Sequence, residues 1–484
     1  MTDLEQRERD RERPRGALRP PSTDAVVRIG LAVVAVSLIV YALTGAASVP
    51  LAAAVLVGFA GAAYLATFTS PAWLVSLGLA LTVFSGNSDE LGFPIGPDRV
   101  LIAGGLAALV LRTPGAATSE RTIVWRPLHA VLAAVAGIGT VSAYAAGTLL
   151  ETEGLFALLD VLGIVPFTVF TLAPLIYGRA QDRDALLMVL VGTGAYLSVI
   201  GLLEGTHNLQ WVFPSYIADE SVGIHFGRAR GPFAEAVAMG LALYGCAVGA
   251  AVAYSTWTKP TRRRVAGVVA LLCLATTIFT LTRAVWLATV VATTMALLTS
   301  RRTRRVLLPI GAVGTVILIA ALTFLPGFAD SVGERSSDQR PLWDRYNTNH
   351  AAVEMVLTHP LFGVGWHAFE REAPKYMEVS QSYPLTGVGI PVHNVPLSHA
   401  VEIGVPAAVL WALGLLFAVG GAVLRPGPES LDPWRLGMVA LFLHWLIVAS
   451  FGPLTYAFPN LLLWTWAGVT SIHHLSVRAD PAAT

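Results

Sequence analysis

The feature that most constrains this chain is a series of apolar runs, each close to the length that crosses a lipid bilayer. A hydrocarbon core of ~30 Å requires about 20 mainly apolar residues in a helix. We place fourteen such runs, at 26–44, 48–68, 71–86, 98–112, 127–147, 155–177, 184–203, 232–254, 264–281, 284–299, 306–326, 397–424, 434–452 and 457–472. The sequence therefore predicts an all-α, polytopic integral membrane bundle of about 12 to 14 transmembrane helices.

The composition supports a bilayer as the solvent of this chain. Only 13% of its 484 residues are charged, about half the share of an ordinary soluble domain. The formal net charge is +1, which gives no reason to expect a nucleic-acid partner. Cys246 and Cys273 lie inside apolar runs, so we interpret them as small buried hydrophobes with no disulfide and no metal-ligand spacing.

The apolar runs divide the chain into five parts. Residues 1–24 are charged and proline-containing, and we predict a disordered cytoplasmic tail. A first transmembrane region of about 11 helices follows at 25–326, then a large external loop with short helices at 327–396. A second transmembrane region of about three helices spans 397–473, and 474–484 forms a second cytoplasmic tail.

Arginine alternates between successive loops, which gives the chain an orientation. Cytoplasmic loops of membrane proteins are enriched in lysine and arginine. With residues 1–24 placed inside, every second loop is basic, and these loops contain Arg112, Arg121, Arg126, Arg179, Arg183, Lys259, Arg262, Arg263, Arg264, Arg301, Arg302, Arg304, Arg305, Arg425 and Arg435. We therefore predict that both termini are cytoplasmic and that 327–396 faces outward.

Histidines gather in the predicted external loop. Of the eleven in the chain, five lie between Pro326 and His399. Histidine is the side chain best suited to proton transfer near neutral pH. His393 is the candidate general base, although a histidine at a membrane interface also serves structural roles. His399 lies near the opposite helix face, and Glu402 adds a carboxylate near the outer membrane edge.

Three predicted outer regions depart from the alternation because they carry basic residues: 204–231 with Arg228 and Arg230, the turn that contains Arg283, and the long external loop itself. Arg283 begins an apolar helix, where it either extends to lipid headgroups or forks onto a pyrophosphate. The same two interpretations apply to Arg228 and Arg230 in RARGPF, and either arginine could replace the other. Gly231 and Pro232 predict a helix start whose free N–H groups could meet an anion.

Two further sequence features concern the structure of the external loop and the kind of chemistry that the chain can perform. The segment WDRYNTNHAAVEMVL predicts a helix that ends at His359, because Pro360 cannot continue it and the following glycines allow a tight return. No nucleotide-binding glycine loop, metal-ligand cluster or serine elbow is found in the sequence. We therefore predict no metal and no cofactor.

At these residues the chain resembles the O-antigen ligase and O-antigen polymerase family, which are bacterial polytopic membrane glycosyltransferases. RARGPF resembles the family's R-x-x-G-x-F segment, and Arg283 with Leu287 fits its R-x3-L pattern. His393, Asn394 and Gly404 fit its H-[NSQ]-x9-G motif.

The block WDRYNTNHAAVEMVLTHPLFGVGWHAF, which contains Arg345, is similar to the large-loop segment of this family. Ala407 departs from the ligase pattern, which usually continues with Gly, Thr or Tyr there. This departure favours a polymerase over a ligase, as does an arginine-rich composition typical of a host without lipopolysaccharide.

The resemblance implies a metal-independent, inverting transfer of a glycan from a polyprenyl-pyrophosphate carrier to an acceptor sugar hydroxyl. Arg228, Arg283 and Arg230 would bind the pyrophosphate, and His393 would accept the proton of the acceptor. His399, Glu402, Asn394 and Arg345 are auxiliary candidates.

The implied setting is the bacterial cytoplasmic membrane, and the implied partners are the glycan donor, a glycan or glycolipid acceptor and membrane lipids. A chain-length regulator and a flippase are further candidate partners. The alternative is a transporter of a small solute or lipid-linked glycan. A transporter should place paired ionisable residues along a path at the membrane midplane, whereas the polar residues here lie mainly outside the spans.

Overall fold

The computed structural model describes residues 69–93, 96–111, 121–299, 303–325, 327–377 and 389–478. The predicted tail 1–24, the first two predicted spans and residues 479–484 lie outside the described residues.

The described residues form eighteen α-helices, numbered in chain order, joined by short 3₁₀ turns and one π-helical turn at Ala157–Leu162. The α-helices are α1 Pro71–Leu81, α2 Pro97–Leu111, α3 Pro127–Ala146, α4 Thr152–Phe156, α5 Ile164–Ile176, α6 Ala180–Gly205, α7 Ala236–Thr256, α8 Pro260–Thr276, α9 Arg283–Leu298, α10 Leu307–Phe324, α11 Phe328–Ser337, α12 Arg340–Thr358, α13 Phe369–Glu372, α14 Val395–Ile403, α15 Val405–Leu424, α16 Asp432–Phe451, α17 Ala457–Thr470 and α18 Ile472–Leu475.

Eight helices in the described part of the chain are long and apolar enough to cross a membrane, and two shorter ones, Pro71–Asn87 and Arg283–Leu298, are also apolar. The prediction of a polytopic helical membrane bundle is thus confirmed. One predicted span differs, because the run 397–424 is two helices, α14 and α15, that meet at Gly404.

The small β-structure of the described residues was not predicted. Strand β1 (Arg121–Ile123) pairs antiparallel with β2 (Ser476–Arg478), and Thr122 lies opposite Val477. This ribbon joins two segments that lie 353 to 357 residues apart in the sequence, at the end of the bundle where the basic loops lie.

Helix α7 is the centre of the bundle. Almost every one of its side chains is buried, and it packs against α6, α8, α16 and α17. A helix that is apolar on all sides is typical of such a position. Small residues let its neighbours approach closely, since a Cβ at Gly240 would lie 2.5 Å from Cγ1 of Val285 on α9.

Loop contacts divide the bundle into two ends. At one end the Asn87 side chain donates to the Pro232 carbonyl over 3.1 Å. At the same end Thr148 Oγ1 donates to the Trp366 carbonyl over 2.7 Å. These contacts join loops that the arginine pattern places outside, and we call this the outer end.

The other end contains the β-ribbon and several basic residues. Arg126 Nε donates to the His474 carbonyl over 2.7 Å, and the charge of Arg425 acts on His474 as well. These loops are the ones that the arginine pattern places inside.

Helix α10 lies apart from the other long helices. Its main contacts are with the 3₁₀ turn before it and with α11 after it. Leu308, Val316 and Phe324 are exposed, as are Leu287 and Val290 on the preceding α9. Both helices therefore present apolar surface to lipid beside the N-terminus of α9.

Candidate active site

Three segments of the outer end meet in one apolar cluster, formed by Ala229, by Phe279 and Leu281, and by Ala321 and Phe328. The Ala229 N–H donates to the Phe279 carbonyl over 2.9 Å, and the Phe279 and Phe328 rings pack edge to face with centroids 5.6 Å apart. Arg228 directly precedes Ala229 in the chain, and Arg283 follows Leu281 closely. Burial of the apolar residues therefore brings the two arginines to the same region.

Arg283 begins α9 directly after a sharp turn. Leu281 has φ +46°, a left-handed conformation that is uncommon for a non-glycine residue and is concentrated at functional sites. The Arg283 side chain is exposed. Among the described residues its guanidinium makes one hydrogen bond, from Nη2 to the Asp338 carbonyl over 3.3 Å. Most of its donors are therefore available to a ligand.

A second guanidinium lies close to Arg283. Arg345 on α12 is half-buried, and both its burial and the charge of Arg283 lower its pKa. Arg345 Nε is buried and has no hydrogen-bond partner among the described residues. Two like charges held together destabilise each other unless an anion neutralises them. This pair therefore has the character of an anion site.

His393 lies against the same helix, α12. Its Nδ1 is 2.9 Å from the Pro391 carbonyl oxygen, and a carbonyl can only accept, so Nδ1 is the nitrogen that bears the proton. This hydrogen bond leaves Nε2 of the neutral ring with a free lone pair. Burial and the charge of Arg345 lower the pKa of His393, while the carboxylates of Asp344 and Glu235 act in the opposite direction.

Asn394 fixes the start of α14 directly after His393. Its side-chain oxygen accepts from the Leu397 N–H over 3.0 Å, the usual bond of an asparagine N-cap. The nine residues of α14 fill the x9 interval of the motif, and Gly404 ends the helix with φ +82°. The structure thus gives a physical meaning to each part of H-N-x9-G.

Gly404→Ala is expected to lower the stability of the protein strongly. A Cβ there would lie 2.2 Å from the Leu361 carbonyl oxygen, and positive φ alone costs an alanine about 1–3 kcal/mol. The apparent melting temperature in detergent measures the effect. Gly420→Ala in α15 is the control, because its Cβ meets no atom within 4 Å; equal melting temperatures for the two variants would contradict the account.

The segment HPLFGVG folds back onto the end of α14. Helix α12 ends at Thr358 with His359 as its C-cap, so the predicted helix stop is confirmed. The Val364 N–H donates to the Val401 carbonyl over 2.8 Å, and the Val405 N–H donates to the Pro360 carbonyl over 2.9 Å. These hydrogen bonds fasten the external loop to the bundle.

Two of the auxiliary candidates, Glu402 and His399, lie in surroundings that indicate a structural role. The Glu402 carboxylate lies beside the backbone N–H groups of His367 and Phe369, in the loop before α13. His399 is 1% exposed and lies between Trp366 and Trp411, at ring-centroid distances of 5.6 and 4.3 Å. It packs in this aromatic group and not with the charged residues around His393.

Arg228 and Arg230 have different environments. Arg230 is fully buried, and its Nη atoms donate to the carbonyls of Ile217, Asp219 and Val222. It thereby holds the loop that precedes RARGPF. Arg228 is half-buried, and no such carbonyl cage surrounds its guanidinium in the described part of the chain. The two arginines are therefore not equivalent in this structure.

The expectation that Gly231 and Pro232 open a helix with free N–H groups is wrong. The Glu204 carboxylate already accepts from the N–H groups of Gly231, over 2.9 Å, and of Arg230, over 3.2 Å. Gly231–Phe233 is a 3₁₀ turn, and α7 starts later, at Ala236. The anion that meets these N–H groups is thus one of the protein's own side chains.

Sequence reasoning missed a group of three residues around the start of α7, one of which, Glu235, acts electrostatically on His393. Glu235 caps α7 and is 6% exposed. His225 Nδ1 lies 3.0 Å from its Oε1, and Tyr456 is close enough to interact with the same carboxylate. The available signal was a carboxylate two residues after the R-x-x-G-x-F segment.

Residues 268–412 match the model of a family described as O-antigen ligase. The chain carries an O-antigen ligase domain. The family resemblance predicted from the motifs is confirmed, and an O-antigen ligase-type function indicates a glycosyltransferase-like enzyme. No curated protein matches the chain.

The O-antigen ligase domain contains the part of the site built from Arg283, Arg345 and His393. Arg228 and Glu235 lie before the matched range and join the site through folding. The membrane-spanning helices and the O-antigen ligase domain both indicate that this chain is a multi-pass membrane protein.

Proposed function

We propose that this protein transfers a glycan from a polyprenyl-pyrophosphate carrier to a sugar hydroxyl at the outer face of the membrane. One observation carries the proposal most directly: the hydrogen bond between His393 Nδ1 and the Pro391 carbonyl leaves Nε2 as a base beside the guanidinium of Arg345. A base next to an anion site is what transfer from a phosphorylated donor requires.

In this proposal the acceptor hydroxyl oxygen attacks the anomeric carbon of the donor. The new carbon–oxygen bond forms as the bond to the pyrophosphate oxygen breaks, and the hydroxyl proton passes to His393 Nε2. Attack from the face opposite the leaving group inverts the anomeric configuration. The products are the elongated glycan and the carrier pyrophosphate.

The arginines bind the charge that develops on the leaving pyrophosphate. Arg283 and Arg228 are the proposed ligands, and Arg345 adds a third guanidinium. Arg230 is not a ligand in this proposal, because its guanidinium holds the loop that precedes RARGPF. A guanidinium binds two phosphate oxygens through a fixed fork. Three of them supply the charge stabilisation without a divalent cation, so the proposed reaction is metal-independent.

The position of Arg283 suits a lipid-linked donor. It lies at the N-terminus of α9, where the exposed apolar residues of α9 and α10 face lipid. A polyprenyl chain can therefore stay in the bilayer while its pyrophosphate reaches the guanidinium. The acceptor is a glycan or glycolipid, and a flippase and a chain-length regulator are the proposed functional partners. Polymerase and ligase share this chemistry and differ in the acceptor.

The transporter alternative has less support from these contacts. A carrier needs ionisable groups that open along a path through the membrane. Asp160, an ionisable residue inside a span, is held by both Nη atoms of Arg99 in an ion pair close to the outer end. The groups suited to chemistry gather instead around His393, outside the spans.

The direct test uses the purified full-length protein in lipid nanodiscs. Incubation with a polyprenyl-pyrophosphate oligosaccharide and a glycan acceptor is expected to yield a longer glycan and free carrier pyrophosphate. Donor that remains intact with both a repeat-unit acceptor and a glycolipid acceptor would contradict the proposal.

We also propose that the outer end faces away from the cytoplasm. Leu342 on α12 is 51% exposed, so a membrane-impermeant thiol reagent is expected to label Leu342→Cys in intact cells. Arg262→Cys at the opposite end should be labelled only after the membrane is opened. The native Cys246 and Cys273 are buried and give little background. The reverse labelling order would overturn this orientation.

A further inference from the structure

A polar cluster lies near the middle of three apolar helices. The rings of Tyr244 on α7 and His444 on α16 stack almost parallel, with their centroids 4.0 Å apart and their planes at 7°. Both side chains are buried. From α9, Thr289 Oγ1 lies 3.2 Å from His444 Nε2, and Thr293 Oγ1 lies 3.1 Å from the Tyr244 hydroxyl oxygen. We call these four residues the midspan cluster.

The two threonines of α9 differ from threonines of other apolar helices. Thr168, Thr193 and Thr315 each donate to the carbonyl four residues earlier in their own helix, a bond that needs no tertiary contact. Thr289 and Thr293 instead hydrogen-bond to side chains of α16 and α7. They are one helical turn apart and lie on the same face of α9. Both hydrogen bonds therefore depend on how α9 is placed against its neighbours.

Apolar packing alone determines the axial position of α9 only weakly. Its buried side chains include Ala288, Ala292 and Ala296, a small residue at every fourth position. A slide of one turn, ~5.4 Å, would bring each alanine near the former place of the next one and change the packing little. Leu287 and Val290 face lipid, which fits either position equally well.

The hydrogen bonds distinguish these positions. The stacked rings border a small cavity whose other walls include Leu241, Leu441 and Leu462. A hydroxyl or ring nitrogen that lost its partner there would face apolar groups, which is unfavourable. A slide of α9 would break both hydrogen bonds at once, whereas the observed position satisfies them. The midspan cluster therefore selects one axial position and one rotation of α9.

The position of α9 determines where Arg283 lies, because Arg283 is the first residue of this helix. Thr289 lies ~9 Å further along the helix axis, at about 1.5 Å per residue. We infer that the midspan cluster positions Arg283 for transfer: through α9 it holds the guanidinium at the depth where it meets the donor pyrophosphate. This inference rests on the proposed function of Arg283. Tyr244 and His444 touch no substrate in this account and are positioning residues.

The test removes the hydroxyl groups and keeps the size of the side chains. Thr289→Val combined with Thr293→Val is expected to lower kcat/KM for the lipid-linked donor about tenfold in nanodiscs, the combined effect of two interhelical hydrogen bonds. The two serine substitutions at the same positions keep both hydroxyls and should restore nearly the normal value. Tyr244→Phe removes one of the two bonds and should give an intermediate loss. Thr315→Val is the control, because Thr315 is exposed on α10 and bonds within its own helix.

A double-mutant cycle separates positioning from a general loss of packing. In the Arg283→Ala background the two valine substitutions should have little further effect on the rate, because the group that they misplace is already absent. An equal loss in both backgrounds would overturn the inference.

A distance measurement tests the placement of α9 without reference to transfer. Leu287 on α9 and Leu342 on α12 are both 51% exposed, so nitroxide labels on Leu287→Cys and Leu342→Cys report this placement by pulsed electron paramagnetic resonance. The two valine substitutions should broaden the distance distribution or add a second distance, displaced by up to ~5 Å, which is one helical turn.

The outcomes distinguish this inference from the proposed function. An unchanged distance distribution in the valine variant, with normal transfer by the unsubstituted protein, would overturn the inference and leave the transfer reaction standing. Absence of transfer by the unsubstituted protein would overturn the proposed function, whatever the distances show.

Discussion

His393→Ala is expected to fold, reach the membrane and bind the lipid-linked donor, yet transfer glycan about 10²–10⁴-fold more slowly than the unsubstituted protein. A sugar hydroxyl is a weak nucleophile that must lose its proton as the new bond forms. Nε2 of His393 is free to take that proton because Nδ1 is committed to the Pro391 carbonyl. Donor binding should persist, since the arginines supply most of it.

The measurement is a single-turnover transfer assay with a separate donor-binding assay. His359→Ala is the matched control, because His359 is also a loop histidine but is exposed and bonded to its neighbour Thr358. It should transfer at nearly the normal rate. His399→Ala is a poor control, because it would leave a cavity beside Trp411. If His393→Ala keeps more than about a tenth of the normal rate, a loss far below that of a general base, the base lies elsewhere.

Arg283→Lys is expected to be impaired nearly as much as Arg283→Ala, with transfer reduced about 10²–10³-fold in both, as for other lost transition-state donors. Lysine keeps the positive charge but loses the planar fork that binds two oxygens. The exposed guanidinium of Arg283 makes one described hydrogen bond, to the Asp338 carbonyl, so the substitution removes little structural support.

The rate and the donor affinity of both Arg283 variants are measured with the same purified system. Arg371→Lys serves as the control, since Arg371 is also an exposed arginine of the outer end and pairs with Glu372 at 3.6 Å. It should behave like the unsubstituted protein. Near-normal transfer by Arg283→Lys would show that Arg283 only contacts lipid headgroups.

The membrane spans and the break after α12 could be predicted because they depend on local properties. Apolar length determines a span, and Pro360 ends a helix whatever lies around it. The division of the run 397–424 could not be predicted from hydropathy, because Gly404 is as compatible with a membrane helix as its neighbours are. Its positive φ and its close approach to the Leu361 backbone, which leaves no room for a Cβ, appear only in the folded chain.

The candidate site was predictable only in part. His393 and Arg283 carry motif signals, whereas the neighbours of Glu235 lie outside its own helix: His225 is in the preceding loop, and Tyr456 comes from the far end of the chain. Arg228 and Arg230 look alike in sequence, and only the carbonyl groups around Arg230 distinguish them. Such contacts depend on tertiary packing, and a pattern of residue types does not report tertiary contacts.

Because α14 has nine residues, the motif sets both the distance and the relative orientation between His393 at the start of the helix and Gly404 at its end. A helix advances about 1.5 Å and turns about 100° with each residue. An added or deleted residue between Asn394 and Gly404 would therefore rotate the imidazole away from Arg345 while the loop at Leu361 stayed in place. For the proposed reaction, the number of residues between Asn394 and Gly404 should therefore matter independently of which side chains α14 carries.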